Sequence, residues 1–373
     1  MDLNRLPITS LLCALLFCLC TATAWAGTTR TITDALGRQV TIPAQVERVI
    51  CSGSGCLRLL TYLQAQERAV AVDDIEVRRN QFDARPYALA NPQFKSLPVF
   101  GEFRGHDNPE RILGLEPAPQ VIFKVYMDVG HDPELLQAKT GIPVVMLQYG
   151  DLTRNRQDLN QALRIMGDAL GRTGRAEAVI AYFDDLQSDL ARRTRDISAS
   201  RSKSCYVGGI AARGPHGFHS TEPSYPPFVF TNARNLAAGL AIEGKTLTHA
   251  TVAKEQIVAW DPDVLFLDLS TLQLGDSAGG LHELRSDPAY RGLTAVREGR
   301  VFGVLPFNWY NENFGSIFAD CYFVGKTLHP ERFTDVDPAT KADEIYTFLV
   351  GKPVFGQMNA LFRNQAFQPV PVK

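Results

Sequence analysis

The sequence predicts an α/β protein with two lobes, a mainly parallel β-sheet in each lobe and a single long α-helix between them. Three observations support this prediction. Short apolar segments alternate with helical segments in two separate blocks, a long segment without Gly or Pro divides the blocks, and one short motif occurs in each block. Strands that alternate with helices form parallel sheets with helices on both faces. Because such sheets bind ligands beyond the carboxyl ends of their strands, we expect ligand contacts in the loops that leave the strands.

The N-terminus has the pattern of a secretory signal peptide. Arg5 precedes an apolar run from Leu11 to Cys20, and Ala24-Trp25-Ala26 forms a small-x-small cleavage site. We therefore predict that residues 1–26 are removed and that the mature protein lies in the periplasm. The apolar run is shorter than the roughly 18 to 20 residues of a membrane-spanning helix, and no later segment approaches that length.

The charge of the chain limits the kinds of partner that it could bind, and its cysteines do not show whether disulfides form. The 373 residues include 38 Lys and Arg against 40 Asp and Glu, a formal net charge of −2, and no basic block stands out. Nucleic-acid binding needs concentrated positive charge, so we expect no nucleic-acid partner. Four widely spaced cysteines follow the signal peptide, and they could form disulfides or be small buried side chains. They are Cys51, Cys56, Cys205 and Cys321.

The first block, residues 27–172, is the predicted N-terminal lobe. It opens with a hairpin whose turn spans Asp34 to Gly37, and it continues with short apolar strands bounded by turns and helical segments. A helix is predicted over Cys56–Gln64. The predicted strands are Thr29–Thr33, Gln39–Ile42, Arg48–Cys51, Val121–Val125 and Ile142–Leu147.

The predicted linking helix occupies residues 173–199. Gly171 and Gly174 interrupt the preceding helical pattern, and the segment from Arg175 to Ile197 then mixes apolar and charged residues without Gly or Pro. At 1.5 Å per residue this segment is roughly 33 Å long, which suits a strut between two lobes. An ordinary surface helix of one domain is the alternative.

The second block, residues 200–373, is the predicted C-terminal lobe. Its predicted strands are Ser204–Gly208, Val264–Leu269 and Arg300–Val304. A repeated motif relates the blocks, because Glu110 to Pro117 and Glu255 to Pro262 share Glu, Ile, an acidic residue and Pro at identical offsets, and an apolar strand follows each. Each copy is typical of a short helix that Pro stops before a strand. Chance similarity of two such units is the alternative.

Candidate ligand contacts of the first lobe lie in loops that follow predicted strands. Ser52 and Ser54 precede a helix, where hydroxyls and amides could hold an oxyanion or a carboxylate. A tight turn with capping serines explains them equally well. Arg104, Tyr126 and Tyr149 are candidates by position alone.

The segment from Arg213 to Tyr225 follows the first strand of the second lobe and is rich in Gly and Pro. Its polar side chains are therefore not explained by a helix or a strand core. Arg213 offers a planar fork for an anion. His216 and His219 could coordinate a metal, but without Cys or a third ligand they are a weak metal signature, and solvated or structural histidines are the alternative. Tyr225 is a further candidate contact.

Aromatic residues follow the last predicted strand of the second lobe. Trp309 and Tyr310 stand beside two asparagines. An aromatic wall with a few polar anchors suits an organic chelate better than a naked ion, although core packing also explains Trp309. Gly53-Ser54-Gly55 lacks the spacing of a nucleophile elbow, and neither a His-Glu-x-x-His helix nor a phosphate loop occurs. We therefore expect a binding protein without a cofactor rather than an enzyme.

The segment Asp34–Pro43, the strand Arg48-Val49-Ile50, the two Glu-to-Pro motifs and the long central helix together resemble periplasmic binding proteins of the iron-siderophore, haem and cobalamin type. The resemblance covers nearly all of the mature chain. It implies two Rossmann-like lobes bridged by one helix, with a ligand cleft between the lobes. It also implies a monomer whose partner is the permease dimer of an ABC importer in the inner membrane. In that family one Glu on each lobe meets Arg residues on the permease, which implies docking roles for Glu110 and Glu255. Helix-surface acids with a small dipole effect are the alternative.

The resemblance implies a metal chelate as the ligand, foremost an iron complex such as a siderophore. The same fold group includes binders of molybdate and tungstate, and cobalamin or haem would also suit Arg, Tyr, His and Trp side chains. The segments 208–227 and 306–314 look unlike the better-known siderophore and cobalamin binders and are similar to a sub-group of iron-complex binding proteins. The chemical identity of the ligand therefore stays open.

Overall fold

The computed structural model describes residues 28–78, 81–125, 130–198, 202–242 and 245–372. Two separate parallel sheets, one in each half of the chain, confirm the predicted α/β fold class. The predicted signal peptide and Tyr126 lie outside the described residues. Within those residues no helix combines the length and the apolar character needed to cross a bilayer.

The first lobe begins with an antiparallel hairpin of β1 (Thr29–Thr33) and β2 (Gln39–Pro43). Asp34 stabilises the turn, because its Oδ1 accepts hydrogen bonds of 3.0 Å from the amides of Leu36 and Arg38. The Arg38 guanidinium also donates to the carbonyl of Val144 at 2.9 Å. These contacts dock the hairpin on the sheet that follows.

The sheet of the first lobe has six strands in the order β6-β5-β4-β3-β7-β8, and every neighbouring pair is parallel except β5 and β6. Its strands are β3 (Val49–Ser52), β4 (Ala69–Asp73), β5 (Val99–Glu102), β6 (His106–Asp107), β7 (Val121–Lys124) and β8 (Val144–Met146). Its helices are α1 (Cys56–Tyr62), α2 (Asp74–Val77), α3 (Pro86–Ala90), α4 (Pro109–Leu113), α5 (Pro133–Thr140) and α6 (Arg156–Ala169).

Both faces of this sheet are buried. Along β3, Val49 and Cys51 face the large apolar core, whereas Ile50 between them faces a smaller cluster with Ile112 of α4 and Leu136 of α5. Successive side chains of a strand point to opposite faces, so a strand covered on both sides is apolar throughout. This is why β3 appears in the sequence as an uninterrupted apolar run.

The helix α7 (Thr173–Thr194) follows the first lobe, and the second lobe is built on a four-stranded parallel sheet in the order β11-β9-β15-β16. The strands of the second half are β9 (Ser204–Gly208), β10 (Ser220–Thr221), β11 (Arg234–Asn235), β12 (Ala241–Ile242), β13 (Lys245–Thr246), β14 (Ala250–Thr251), β15 (Val264–Asp268) and β16 (Val301–Val304). The helices are α8 (Pro226–Phe230), α9 (Lys254–Trp260), α10 (Gly279–Ser286), α11 (Pro288–Arg291), α12 (Thr294–Arg297), α13 (Phe314–Leu328), α14 (Pro338–Val350) and α15 (Phe355–Leu361). The strands β10 and β14, and likewise β12 and β13, form small antiparallel pairs.

The lobes also contact each other away from the cleft. Helix α7 packs against α6 of the first lobe and against α8 and α13 of the second. Helices α14 and α15, from the end of the chain, contact α1 and α3 of the first lobe. Tyr182 of α7 stacks on Phe348 of α14 with ring centroids 3.9 Å apart. Helices other than α7 therefore also join the two lobes by contact, and the predicted boundaries at residues 172 and 199 stay predictions.

The two copies of the repeated motif occupy equivalent places in the two sheets. Helix α4 leads into β7, which pairs with β3, the first strand of the first sheet. Helix α9 leads into β15, which pairs with β9, the first strand of the second sheet. The similarity seen in the sequence therefore coincides with a topological repeat.

Candidate functional site

A cavity of about 530 Å³ lies between the lobes at the carboxyl ends of the parallel strands. The first lobe contributes Ser54 from the loop after β3, and Phe103 and Arg104 from the loop after β5. The second lobe contributes residues 211–215 after β9, Gln273 after β15 and residues 308–311 after β16. This is the place where open parallel sheets bind ligands.

The loop between β3 and α1 forms the floor of the cavity on the first lobe. Ser54 lines the cavity, and its carbonyl accepts a hydrogen bond of 3.2 Å from the side-chain amide of Asn311. Gly55 follows with φ of 97°, and a Cβ on it would lie 2.4 Å from the ring of Tyr149. Only glycine allows both this left-handed conformation and the close approach of the ring.

Ser52 faces away from the cavity into a buried polar cluster. Its hydroxyl accepts a hydrogen bond of 3.3 Å from the Lys124 ammonium, which also pairs with Asp107 at 2.6 Å. All three side chains are buried. Ser52 therefore supports the loop from below, and we do not propose it as a ligand contact.

Two arginines from opposite lobes reach the cavity. Arg104 has φ of 65° and Arg213 has φ of 60°, and both side chains are exposed. The Arg104 guanidinium stacks on the ring of Phe103, 5.1 Å from its centroid. Within the described residues no Asp or Glu lines the cavity. The site therefore presents positive charge without a matching carboxylate, which suits an anionic ligand.

The predicted histidines lie beside the cavity rather than in its lining. The Nε2 atom of His216 is 2.8 Å from the carbonyl of Ala212, and its ring centroid is 5.7 Å from that of His249. Burial first, and then the nearby His216 and His219, lower the pKa of His249. Among the described residues no group of three or more His, Cys, Asp or Glu could hold a metal ion. We therefore do not propose His216 and His219 as metal ligands.

The loop after β16 forms the aromatic wall. Trp309 is 7% exposed and Tyr310 is half-buried, and both line the cavity. Tyr310 with φ of 54° and Asn311 with φ of 72° are consecutive left-handed residues, a conformation that costs free energy for side chains other than glycine. The Asn308 amide donates to the carbonyl of Ala211 at 3.2 Å, so the loop also contacts the Arg213 segment.

Tyr149 and Tyr225 are buried and do not line the cavity. The Tyr149 hydroxyl donates to the carbonyl of Glu312 at 2.7 Å and contacts the guanidinium of Arg58. Tyr225 packs against Phe228 and Phe307 at ring-centroid distances of 4.8 and 5.7 Å, and burial raises its pKa well above the usual value. Tyr225 therefore belongs to the core of the second lobe.

Phe103 and Gln273 line the cavity and were not predicted, and neither was Arg58, which lies behind the aromatic wall. Arg58 lies on α1 and is 1% exposed, although it sits in a helix that is otherwise almost wholly apolar. A single Arg in an apolar helix could have indicated its role from the sequence, because a charge that is buried with the helix needs polar partners. Its partners are backbone carbonyls of the loop after β16, in the other lobe.

Buried carboxyl groups lie beneath the second-lobe side of the site. Burial raises the pKa of Asp268 to about 7, although its Oδ1 accepts a hydrogen bond of 2.8 Å from the amide of Ser270. Burial, followed by the nearby Glu312 and Asp268, raises the pKa of Glu222 well above its usual range. Desolvation disfavours the charged form of both groups. Neither lines the cavity, so they leave its positive character unchanged.

The predicted docking residues lie outside the cavity. Glu110 on α4 and Glu255 on α9 are both exposed. Leu113 follows Glu110 by three positions and is 58% exposed, and Val258 follows Glu255 by three positions and is 37% exposed. Residues three apart share one face of a helix. Each copy of the motif thus presents an acid beside an apolar side chain.

Known proteins resemble the chain over most of its length. The molybdate-binding protein MolA of Haemophilus influenzae is 23% identical over 338 residues, which cover 85% of this chain and 90% of that protein. Its molybdate-bound structure has a TM-score of 0.63 at 19% identity, with 87% of this chain and 98% of that chain covered. A periplasmic solute binding protein from Veillonella parvula DSM 2008 reaches a TM-score of 0.69 at 16% identity, covering 93% of this chain and 100% of that one. For the petrobactin-binding protein YclQ of Bacillus subtilis the TM-score is 0.56 at 13% identity, with 81% and 99% covered.

At these identities the solved structures show a shared fold and do not identify the ligand. The sequence model of the periplasmic binding protein family, by contrast, matches residues 49–306, which include most of both lobes and every residue that lines the cavity except residues 308–311. Proteins of this kind bind solutes for ABC importers and are not enzymes. The chain belongs to the periplasmic binding protein family.

Proposed function

We propose that the protein captures an anionic metal chelate, foremost an iron complex, in the cavity between its lobes and delivers it to the permease of an ABC importer. One observation carries this proposal. Arg104 and Arg213 reach the same cavity from opposite lobes, and no described carboxylate lines that cavity. Charge-assisted hydrogen bonds to both guanidinium groups would hold an anion and bring the lobes together around it.

The size and lining of the cavity favour a chelate over a bare ion. A volume of about 530 Å³ falls within the roughly 300 to 1,000 Å³ of typical small-molecule sites. Phe103, Trp309 and Tyr310 give it an aromatic wall, and Ser54 and Gln273 add polar anchors. An organic chelate can use both kinds of surface, whereas a small ion needs only a few donors.

A molybdate or tungstate oxyanion is the second candidate ligand. The 23% identity to a molybdate-binding protein over 85% of this chain supports it. The donors at the cavity also suit a tetrahedral oxyanion, because guanidinium, hydroxyl and amide groups all donate hydrogen bonds to oxygen. Cobalamin and haem have no separate observation in their favour.

Native mass spectrometry combined with metal analysis separates these candidates. Protein isolated from its own periplasm should carry a mass increment together with iron. Isothermal titration calorimetry with an iron(III) tris-catecholate should then show one site that tungstate does not displace. A molybdenum or tungsten signal, with binding of tungstate and none of the iron chelate, would establish the second candidate instead.

We also propose that Glu110 and Glu255 dock the protein on the permease dimer. The equivalent positions of α4 and α9 support this role, because a protein with two similar lobes presents two similar surfaces to a partner with two subunits. The exposed Leu113 and Val258 extend each surface with an apolar contact.

If Glu110 and Glu255 dock the protein on the permease, their removal should reduce uptake without changing ligand affinity. The double variant Glu110→Ala with Glu255→Ala should reduce uptake by about tenfold or more, because a charge-assisted contact is worth roughly 1.5 to 3 kcal/mol and two are lost. Its ligand affinity and unfolding midpoint should stay unchanged. Glu116→Ala, which removes an exposed acid from the same motif, is the matched control and should transport normally. Normal uptake by the double variant would disprove the docking role.

A further inference from the structure

A buried arginine of the first lobe holds the aromatic wall of the second lobe in place. The Trp309 loop is defined here as residues 308–312. The Nη1 atom of Arg58 donates to the carbonyl of Glu312 at 2.7 Å, and its Nη2 atom donates to the carbonyls of Trp309 and Tyr310 at 3.3 Å each. One guanidinium thus donates hydrogen bonds to three backbone carbonyls of the Trp309 loop.

Tyr149 completes this arrangement. Its hydroxyl donates to the same Glu312 carbonyl at 2.7 Å and accepts from Arg58. The ring is fixed between the Gly55 backbone and Phe314, on which it stacks with centroids 5.1 Å apart. The loop carbonyl at Glu312 therefore receives two donors from the first lobe at once.

The partners of Arg58 distinguish this contact from an ordinary buried ion pair. Arg85, also buried in the first lobe, pairs with Glu76 and Asp83 of its own lobe at 2.7 and 2.9 Å. For Arg58 the described residues provide no such ion pair, and the carbonyls that it contacts belong to the other lobe.

A buried cation needs compensation. In the part of the chain that the structure describes, the first lobe supplies only the Tyr149 hydroxyl and the faces of the Tyr87 and Tyr149 rings. The carbonyl acceptors of Arg58 are therefore present only while the Trp309 loop lies against the first lobe.

The backbone of the Trp309 loop needs such external support. Tyr310 and Asn311 are consecutive left-handed residues without the freedom of glycine. Conformations of this kind persist when the surrounding structure holds them, and they concentrate at functional sites. The first lobe supplies hydrogen bonds from Arg58 and Tyr149 and the Ser54 carbonyl as an acceptor.

Phe103 and Arg85 of the first lobe also pack on the Tyr310 ring. From the second lobe, the Asn313 amide donates to the Trp309 carbonyl at 3.1 Å.

We propose that Arg58 and Tyr149 are positioning residues that set the ligand affinity without touching the ligand. They hold Trp309 and Tyr310 against the cavity, and they tie closure of the lobes to the shape of the aromatic wall. The effect on ligand affinity rests on the proposed function. The role of Arg58 and Tyr149 in holding the Trp309 loop does not depend on which ligand binds.

Tyr149→Phe is the sharpest test, because it removes one buried hydroxyl and keeps the ring against Gly55. Tyr346→Phe is the matched control, since it removes a fully buried hydroxyl whose hydrogen-bond partner, Ser316 at 3.1 Å, is outside the Trp309 loop. We expect backbone amides of residues 308–312 to exchange hydrogen about fivefold faster in ligand-free Tyr149→Phe than in Tyr346→Phe, because loss of one or two hydrogen bonds shifts an opening equilibrium by roughly that factor. The unfolding midpoints of the two variants should be similar.

Affinity is measured on the same proteins with two probes, an iron(III) tris-catecholate and tungstate. For the probe that the unaltered protein binds, Tyr149→Phe should weaken binding by about threefold to tenfold through faster dissociation, and Tyr346→Phe should match the unaltered protein. Arg58→Lys, which keeps the charge but loses the fork, should have the larger effect if it folds.

Equal hydrogen exchange in the two phenylalanine variants would overturn the proposal, and so would faster exchange with unchanged affinity. If the unaltered protein binds neither probe, the proposed ligand class is wrong. In that case the difference in hydrogen exchange between Tyr149→Phe and Tyr346→Phe still tests whether Tyr149 positions the Trp309 loop.

Discussion

The two walls of the cavity differ in what they contribute. The first lobe places three residues at the cavity, in short loops, whereas the second lobe places ten there, namely residues 211–215, Gln273 and residues 308–311. The first lobe contributes more by support, because Arg58 and Tyr149 hold the loop of the other lobe from behind. The second lobe thus supplies most of the residues that line the cavity, and the first lobe contacts the loop that carries the aromatic wall.

Substitution of one glycine in each wall tests this division with the largest expected effect. Gly55→Ala should destabilise the protein by about 2 to 6 kcal/mol, because left-handed strain and overpacking each cost roughly 1 to 3 kcal/mol. Its Cβ would lie 2.4 Å from the Tyr149 ring. Urea unfolding measures the free energy of unfolding.

Gly214→Ala is the matched control on the second lobe. Gly214 has φ of 147°, but a Cβ there meets no atom within 4 Å. The change should therefore cost only the backbone strain, about 1 to 3 kcal/mol. Equal destabilisation by the two substitutions would show that the Tyr149 ring does not pack closely against Gly55.

Removal of one arginine from each wall should have the next largest effect. Arg213→Ala should weaken binding of the native ligand by about tenfold to a hundredfold, because a charge-assisted hydrogen bond contributes roughly 1.5 to 3 kcal/mol. Arg104→Ala should lie at the lower end of that range, since its guanidinium also stacks on Phe103. Calorimetric titration measures both. Unchanged affinity in Arg213→Ala would place the anionic end of the ligand elsewhere.

The buried acid of the second lobe should give the smallest effect, a dependence of stability on pH. Since burial raises the pKa of Asp268 to about 7, its proton is held more tightly in the folded chain than in the unfolded one. Its contribution to stability is therefore complete below pH of about 4 and is lost as the pH rises through about 7.

Asp268→Asn keeps the acceptor for the Ser270 amide and removes the titration. The decrease in unfolding free energy from pH 5 to pH 8 should become smaller by about 1 to 3 kcal/mol in this variant. Asp276→Asn is the control, because Arg363 lowers the pKa of that exposed carboxyl and it stays charged at both pH values. An identical pH dependence in Asp268→Asn and the unaltered protein would contradict the raised pKa.

Local patterns account for the parts of the fold that the sequence predicted. The hairpin and the strands β3, β7, β8, β9, β15 and β16 lie where predicted, with ends shifted by one or two residues. The strands β4 and β5 were not predicted, because a helix follows β4 at once and β5 ends at an exposed Glu102. Helix α7 starts close to the predicted segment but ends at Thr194, ahead of Ile197.

Two tyrosines show the limit of site prediction from loops. Tyr225 lies in a segment rich in Gly and Pro, yet it packs among Phe228 and Phe307. Tyr149 follows a strand, yet its hydroxyl bonds the backbone of the other lobe. A loop position indicates nearness to the sheet edge, and packing decides which way a side chain points.

The fold class, the family, the repeated motif and most of the loops that reach the cavity could be predicted from the sequence, because these depend on periodicity and on the rule that ligands bind at strand ends. The contact of Arg58 with the Trp309 loop, and the meeting of Arg104 and Arg213 at one cavity, became visible only in the folded chain. Arg58 and the Glu312 carbonyl are 254 positions apart in the chain. No local pattern encodes such a contact, because a buried charge is satisfied by whatever the folded chain places beside it.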